Sequence, residues 1–310
     1  MVASVFLFFS CLLSVSVSGS AIPPEAQLPQ IGNGYIGTLI SSPIEFVAGV
    51  FNGAGRYSHR AAIPASLLYS LDCINVSASP PIIDYDSGRV VQNGSCIDQN
   101  VVFQFIWYAH RAIRELLVME ITITNTATIE QIVGILNQCP QVNSSSDLVA
   151  VAHSTSQNHT WTQWQITTTE EWNSAKTIVG AASTVPPREI IVAAGASVTV
   201  SVLSAKCTDT DAPDPLKCAN DTIHAALLAG RASLYASHAK AWADLWTAGI
   251  IVDEPTLNGI ITSTWYALLS AVRADAAYST SPGGLAVQCY GGHAFWDMVS
   301  SLPYFYVVLL

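Results

Sequence analysis

The sequence predicts a β-then-α protein, with an antiparallel β-sandwich first and helices after it. Three observations carry this. From about residue 30 to 205, apolar side chains recur at every second position in short runs, and clusters of Gly, Pro, Asn, Asp and Ser separate the runs. After Cys218 the spacing lengthens to that of a helix. Half of the 310 residues are apolar and 11% are charged, so a substantial core can form.

The elements follow in order. Residues 2–17, VASVFLFFSCLLSVSV, are apolar apart from Ser, and SGSA follows. Residues 1–20 therefore read as a signal peptide cleaved after Ser20, the apolar run being short of a bilayer span. The β-sandwich is assigned to 21–205. Within it VVFQFIW (101–107) and WTQWQI (161–166) are extended and aromatic-rich. LLVMEITIT (116–124) puts Leu117, Met119, Ile121 and Ile123 on one face, and SVTVSV (197–202) does the same for Val198, Val200 and Val202. SASPP, DYDSG, QNGS and NSSSD read as turns. Residues 206–255 read as a helical linker, with Ile223, Leu227, Gly230, Leu234, His238, Trp242 and Leu245 striping a helix over 221–247 capped by Asn220 or Asp221. A second helix begins near Pro255, carries Leu257, Ile260, Trp265, Leu268 and Val272, and ends before Ser281-Pro282-Gly283-Gly284.

Charge and cysteine usage narrow the function. Acidic residues outnumber basic ones 22 to 12, a formal charge of −10 with no Lys/Arg cluster, which repels phosphate backbones and excludes nucleic acid as a partner. Sequons at Asn75, Asn93, Asn143, Asn158 and Asn220 behind a leader predict a glycoprotein that is secreted or held in the lumen of the secretory or lysosomal pathway. Of seven cysteines, six remain after the leader, and Cys73–Cys96 and Cys207–Cys218, each flanking a turn-rich segment, are the expected disulfides. There is no C-x-x-C and no H-E-x-x-H, so neither a metal site nor a cofactor is expected. No membrane anchor is expected once the leader is removed.

Gly32-Asn33-Gly34-Tyr35-Ile36-Gly37 matches G-x-G-x-x-G. A dinucleotide site needs a buried strand before it and a helix after it. Here IPPEAQLPQI precedes and Pro43 follows, so the glycines are read as a tight turn. No G-x-S-x-G elbow and no P-loop occur. The remaining candidate is GGHAFWDM (291–298). Sugars have polar edges and apolar C–H faces, so a sugar pocket pairs stacking aromatics with carboxylates. Tyr290, His293, Phe295, Trp296 and Asp297 supply those types; the same residues also suit a core contact and a helix cap.

Six segments in order, PQIGNGYIGT (29–38), GVFNG (49–53), SHRAAIPA (58–65), HAKAWADLW (238–246), LNGIITSTWYALL (257–269) and GGLAVQCYGGHAFWD (283–297), resemble glycoside hydrolase family 65. The resemblance implies a β-sandwich, a helical linker and, from 256 to 310, the beginning of a truncated (α/α)6 barrel. It implies cleavage of a terminal α-glucosidic bond with inversion, in α,α-trehalose or glucosylgalactosyl-hydroxylysine. Trp296 and Asp297 are the positions that would line the glucose pocket, with His293 supporting the loop. Arg60 is expected to brace the sandwich through forked pairing with backbone or carboxylate. Inversion needs two carboxyl groups about 6.5–9.5 Å apart. The family's general acid and base both fall beyond Leu310, so no catalytic residue is assigned and the 310 residues are expected to be inactive alone. The alternative expectation is a secreted, non-catalytic product that binds carbohydrate or protein.

Overall fold

The structure is a computed structural model that describes residues 28–169, 174–276 and 279–295. The leader, Trp296, Asp297 and the segment after them lie outside the described residues.

The centre of the molecule is a nine-stranded antiparallel sheet. Its main path runs Leu148–Thr155, His159–Ile166, Ile178–Thr184, Ser197–Thr208, Leu116–Asn125, Val101–Ala109, Arg89–Cys96 and Val76–Ala78, with Ile82–Asp84 also paired to Arg89–Cys96. Leu117, Met119, Ile121 and Ile123 are fully buried on one face, as their alternation predicts. Met119 stands opposite Val202, Ile121 opposite Val200 and Ile123 opposite Val198. Each such side chain contributes roughly 1.5–3 kcal/mol by leaving water. That face packs on a second layer of smaller sheets: Glu189–Val192, Gln131–Asn137 and Tyr69–Leu71 in one, and Gln30–Gly32, Ile36–Leu39, Ile44–Val47 and Ile63–Pro64 in another. The predicted turn QNGS is instead the middle of Arg89–Cys96. Asn93 pairs across to Gln104, whose Nε2 donates to Asn93 Oδ1 at 2.9 Å, and Gly94 leaves room for the Phe103 ring.

The opposite face of the large sheet is covered by helix α1, Pro215–Trp246, through Ala219, Ile223, Ala226 and Leu234 against Ile106, Leu116, Val118 and Leu203. The helix starts earlier than its apolar stripe, because Asp214 caps it by accepting from the Lys217 N–H at 2.9 Å and Pro215 occupies the first turn. Gly230 breaks the helix at φ 75°, ψ 159°, and Leu227 turns outward at 56% exposure while Ala226 takes the buried position. Cys207–Cys218 ties the helix to the strand before it, and Cys73–Cys96 closes the other predicted loop; both suit an oxidising compartment. Cys139 is free. Among the described residues no helix is long and apolar enough to cross a membrane.

Helix α2, Pro255–Ala271, is capped by Glu254, which accepts from the N–H groups of Thr256 and Leu257. It stops well before Ser281. Arg111 Nη1 takes its last carbonyls, Leu269 at 2.6 Å and Val272 at 3.1 Å, together with that of Asn33 at 2.8 Å. Here the G-x-G-x-x-G run finds its use. Asn33 is buried; its Oδ1 accepts from Tyr35 and Ile36 N–H, and its Nδ2 donates to the His110 and Arg114 carbonyls. A Cβ on Gly32, Gly34 or Gly37 would collide with Ser270, Val272 or Leu285 respectively, so the three glycines seat the end of α2 and the segment after it. Gly34 also has φ +83°. Gly34→Ala is expected to cost about 2–3 kcal/mol, from left-handed strain plus overlap with the Val272 carbonyl, read as a lower midpoint in urea unfolding.

Trp242 of α1 is fully buried, stacked on Tyr266 of α2 at 5.2 Å and beneath the Arg111 guanidinium, while Trp246 Nε1 donates to the Tyr85 carbonyl at 2.9 Å. His238 is buried with them and its Nδ1 accepts from the Arg111 N–H. His110 Nδ1 accepts from Ile113 N–H, so its Nε2 donates to the Leu234 carbonyl. Burial keeps both imidazoles neutral, pushing His110 down to about 4 and His238 to about 3. Their contribution to stability is therefore complete above the unfolded-state pKa and is lost as pH falls towards these values. Stability should drop by about 3 kcal/mol for each histidine, about 6 kcal/mol together, between pH about 7 and about 4. NMR should find both rings still neutral at pH about 5; protonation of either near its ordinary pKa would contradict this.

Candidate functional site

The segment 279–295 returns across the smaller sheets and is held by a two-stranded ribbon, Phe51–Asn52 with His59–Arg60. Three of the matched motifs, distant in sequence, meet here. Arg60 is the clamp. Only 3% exposed, it donates through Nη1 to the carbonyls of Gly284 and Leu285, both at 3.2 Å, and Val287 at 3.4 Å, and through Nη2 to Gly292 at 3.0 Å. Gln288 Nε2 donates back to the Arg60 carbonyl. Burial pushes the guanidinium down to about 10, which leaves it charged at neutral pH. Arg60 thus uses the forked backbone pairing expected of it, but the object it braces is the late loop.

The tip of the loop turns through Tyr290, Gly291 and Gly292, with φ of 50°, 65° and 77°. At Gly292 a side chain would press into Arg60, so glycine lets the backbone lie on the guanidinium. His293 follows. Its ring stacks on Phe51 at 4.7 Å with 15° between planes, and its Nε2 donates to the Ser58 carbonyl at 3.0 Å. Tyr290 and Phe295 meet edge to face at 5.3 Å, both substantially exposed. An aromatic, open surface therefore lies immediately before Trp296 and Asp297, which fall outside the described residues. Of Trp296, Asp297 and His293, the candidate sugar-pocket residues, His293 alone is among the described residues, and its contacts with Phe51 and Ser58 hold the loop in place.

Beneath the ribbon lies a polar cluster that no pattern in the sequence announced. His59 Nδ1 faces the Tyr57 carbonyl at 2.8 Å and its Nε2 faces Asp147 Oδ1 at 2.9 Å. Both partners are acceptors, so both ring nitrogens must carry protons. Burial opposes that charge, but the Tyr57 carbonyl and the Asp147 carboxylate outweigh it and raise the pKa above its ordinary value. Asp147 also accepts from Asn52 Nδ2 at 3.1 Å and Ala62 N–H at 2.9 Å, and Asn52 Oδ1 accepts from the Thr167 hydroxyl and Thr168 N–H. Asn52 and His59 do stand in GVFNG and SHRAAIPA, so family resemblance marked their segments; Asp147 lay in the turn NSSSD.

Other predicted sites disperse. Asn75, Asn93, Asn143 and Asn158 are exposed. Asn220 is engaged on both sides, its Nδ2 donating to the Leu216 carbonyl and its Oδ1 meeting His159 Nε2 at 2.8 Å. Among the described residues no group of three or more His, Cys, Asp or Glu is placed to hold a metal ion.

No family model matches the chain. It is 27% identical over 300 residues to the protein-glucosylgalactosylhydroxylysine glucosidase of Dictyostelium discoideum, covering 92% of this chain and 41% of that protein. The Gallus gallus protein of the same name is 26% identical over 295 residues, covering 90% of this chain and 41% of its own length. A stretch of 107 residues, 34% of the chain, is 40% identical to the kojibiose hydrolase of Mucilaginibacter mallensis and covers 16% of it. Among solved structures, a putative kojibiose phosphorylase from the human microbiome has a TM-score of 0.67 at 14% identity, covering 90% of this chain and 44% of that one, a likeness that shows the fold alone. The chain spans 41% of the length of the two glucosidases.

Proposed function

The chain is related to glycoside hydrolase family 65, and from that premise we propose that its protein is a glycosidase releasing a terminal α-linked glucose with inversion. Substrates of the right chemistry are α,α-trehalose, kojibiose and the glucosylgalactosyl unit on hydroxylysine. In this reading the β-sandwich is assigned to 21–205, of which 21–27 lie outside the described residues, the linker to 206–255 and the start of an (α/α)6 barrel to 256 onward; the last strand, Ser197–Thr208, runs three residues past the first boundary. Leu257 and Ile260 of α2 are 47% and 48% exposed, and this apolar row supports further helices packing there. The disulfides support a secretory or lysosomal route.

The carrying observation is the clamp. Arg60 holds four carbonyls of the loop while Phe51 and Ser58 hold His293, so the backbone leading to Trp296 and Asp297 is fixed before any sugar arrives. In this reading Asp297 accepts hydrogen bonds from hydroxyls of the departing glucose and Trp296 packs on its C–H face. Asp297 alone cannot both protonate the leaving oxygen and activate water. The 310 residues taken by themselves are therefore proposed to bind glucose without cleaving. Calorimetry with glucose and kojibiose, beside NMR detection of the released anomer, tests this. Binding that falls about tenfold or more in Asp297→Asn, without turnover, is the expected result. Release of β-glucose by the 310-residue chain would show that it holds a complete acid–base pair. No glucose binding at all would remove the reading.

A further inference from the structure

We propose a second, non-catalytic saccharide site at the open end of the sandwich, lined by no residue of the 279–295 loop. A cavity of about 1020 Å³ opens there between the strands Leu148–Thr155, His159–Ile166 and Ile178–Thr184 and the facing strand Gln131–Asn137 with its loops. The inner face of a sandwich is ordinarily apolar. Here the pairing register places polar side chains in successive cross-strand rows. One row is His153, Thr162, Ala181 and Lys206; the next is Thr155, Thr160, Ser183 and Ser204. The row before them carries Trp164.

The hydroxyls are already oriented. Thr162 Oγ1 bonds His153 Nδ1 at 2.9 Å, His153 Nε2 meets Thr155 Oγ1 at 3.2 Å, and Thr160 donates to Thr155 at 3.3 Å. Across the gap stand Tyr69, Ile135, Pro140 and Val142. Trp164 uses its Nε1 on the Val142 carbonyl at 2.9 Å, which fixes the indole as an apolar wall. Arg188, exposed at the rim, is the one Lys, Arg, Asp or Glu among the lining residues, and Lys206, deeper in the same row, is matched by Glu45. Hydroxyl donors and acceptors, aromatic and aliphatic walls, and almost no charge suit a neutral polyhydroxylated ligand. The volume is at the upper end of the roughly 300–1,000 Å³ that holds small organic ligands. Asn158, exposed, lines the rim and opens a sequon, so the sugar has two sources: a free saccharide, or a glycan carried by the chain itself.

The test is an NMR titration of the 310-residue chain with kojibiose, maltotriose and inorganic phosphate, using Asn158→Gln and glycosylated wild-type protein in parallel. Asn158→Gln should show saccharide-dependent shifts at Thr155, Thr160, Thr162 and Ser183, and no response to phosphate. The shape-conserving pair Thr162→Val and Ser183→Ala should weaken binding about tenfold or more. If the glycosylated form shows these shifts without added sugar and takes none, the occupant is the chain's own glycan; if both forms respond, it is free saccharide. Absence of shifts in Asn158→Gln, equal shifts with phosphate, or undiminished binding in the double variant would overturn the proposal. Asp297→Asn should leave this binding intact, which separates it from the glucose pocket proposed above.

Discussion

Arg60→Leu is expected to destabilise the protein by about 3–5 kcal/mol and to free the segment 284–292 from the ribbon. Four carbonyls, of Gly284, Leu285, Val287 and Gly292, share one guanidinium, and removing it takes that donor from all four, leaving Gly284 with the Ser281 hydroxyl at 2.8 Å. Charge-assisted bonds contribute about 1.5–3 kcal/mol each, and these four are too close together to add. Arg60→Lys should recover little, because an ammonium is a point donor and cannot span carbonyls that the planar fork reaches from two nitrogens. Denaturant unfolding should show the loss, and hydrogen exchange should show fast opening of 284–292 with the large sheet still protected. A loop that stays protected in Arg60→Leu would mean that the His293 and Gln288 contacts suffice.

How much of this was legible in the sequence depended on the range of the interaction. Alternation over Leu117–Ile123 and Val198–Val202 located a sheet face because the side to which each residue points is set by a local two-residue period. The disulfides followed from cysteines close in sequence around turn-rich segments. QNGS was misread because Asn and Gly favour turns in isolation, while in the sheet Asn93 has Gln104 opposite and Gly94 has an aromatic ring to admit. The start of α1 was hidden because Asp214 and Pro215 lie outside its apolar stripe. The G-x-G-x-x-G run shows the limit most clearly. Its glycines are explained by Ser270, Val272 and Leu285, more than two hundred residues away, and no period or motif encodes such contacts. The clamp has the same character: Arg60 and Gly292 were visible individually, and only the fold joins them.

The other large effect concerns a buried pair, one member of which strict alternation places once strand Ser197–Thr208 is followed to its end. Val198, Val200 and Val202 point inward, so Ser204 and Lys206 must point inward too. Lys206 is fully buried and meets Glu45, itself 1% exposed, while also donating to the hydroxyls of Ser66 at 3.0 Å and Ser204 at 3.1 Å. Glu45 Oε1 accepts from the Ser66 N–H at 2.8 Å. Breaking such a pair from one side strands a charge away from water, so Glu45→Gln and Lys206→Met should each cost about 3–5 kcal/mol. Replacing both together, as Glu45→Leu with Lys206→Met, should cost much less, since two desolvated charges vanish along with their attraction. Guanidinium unfolding of the single and double variants forms the cycle, and additive losses would show that the two groups do not act as a pair. The double variant also bears on the sandwich cavity. Lys206 orients Ser204, which stands in the same cross-strand row as Ser183 and Thr160. Apolar replacement should therefore preserve the fold yet weaken saccharide binding, because the hydroxyl row would lose the donor that fixes its inner end.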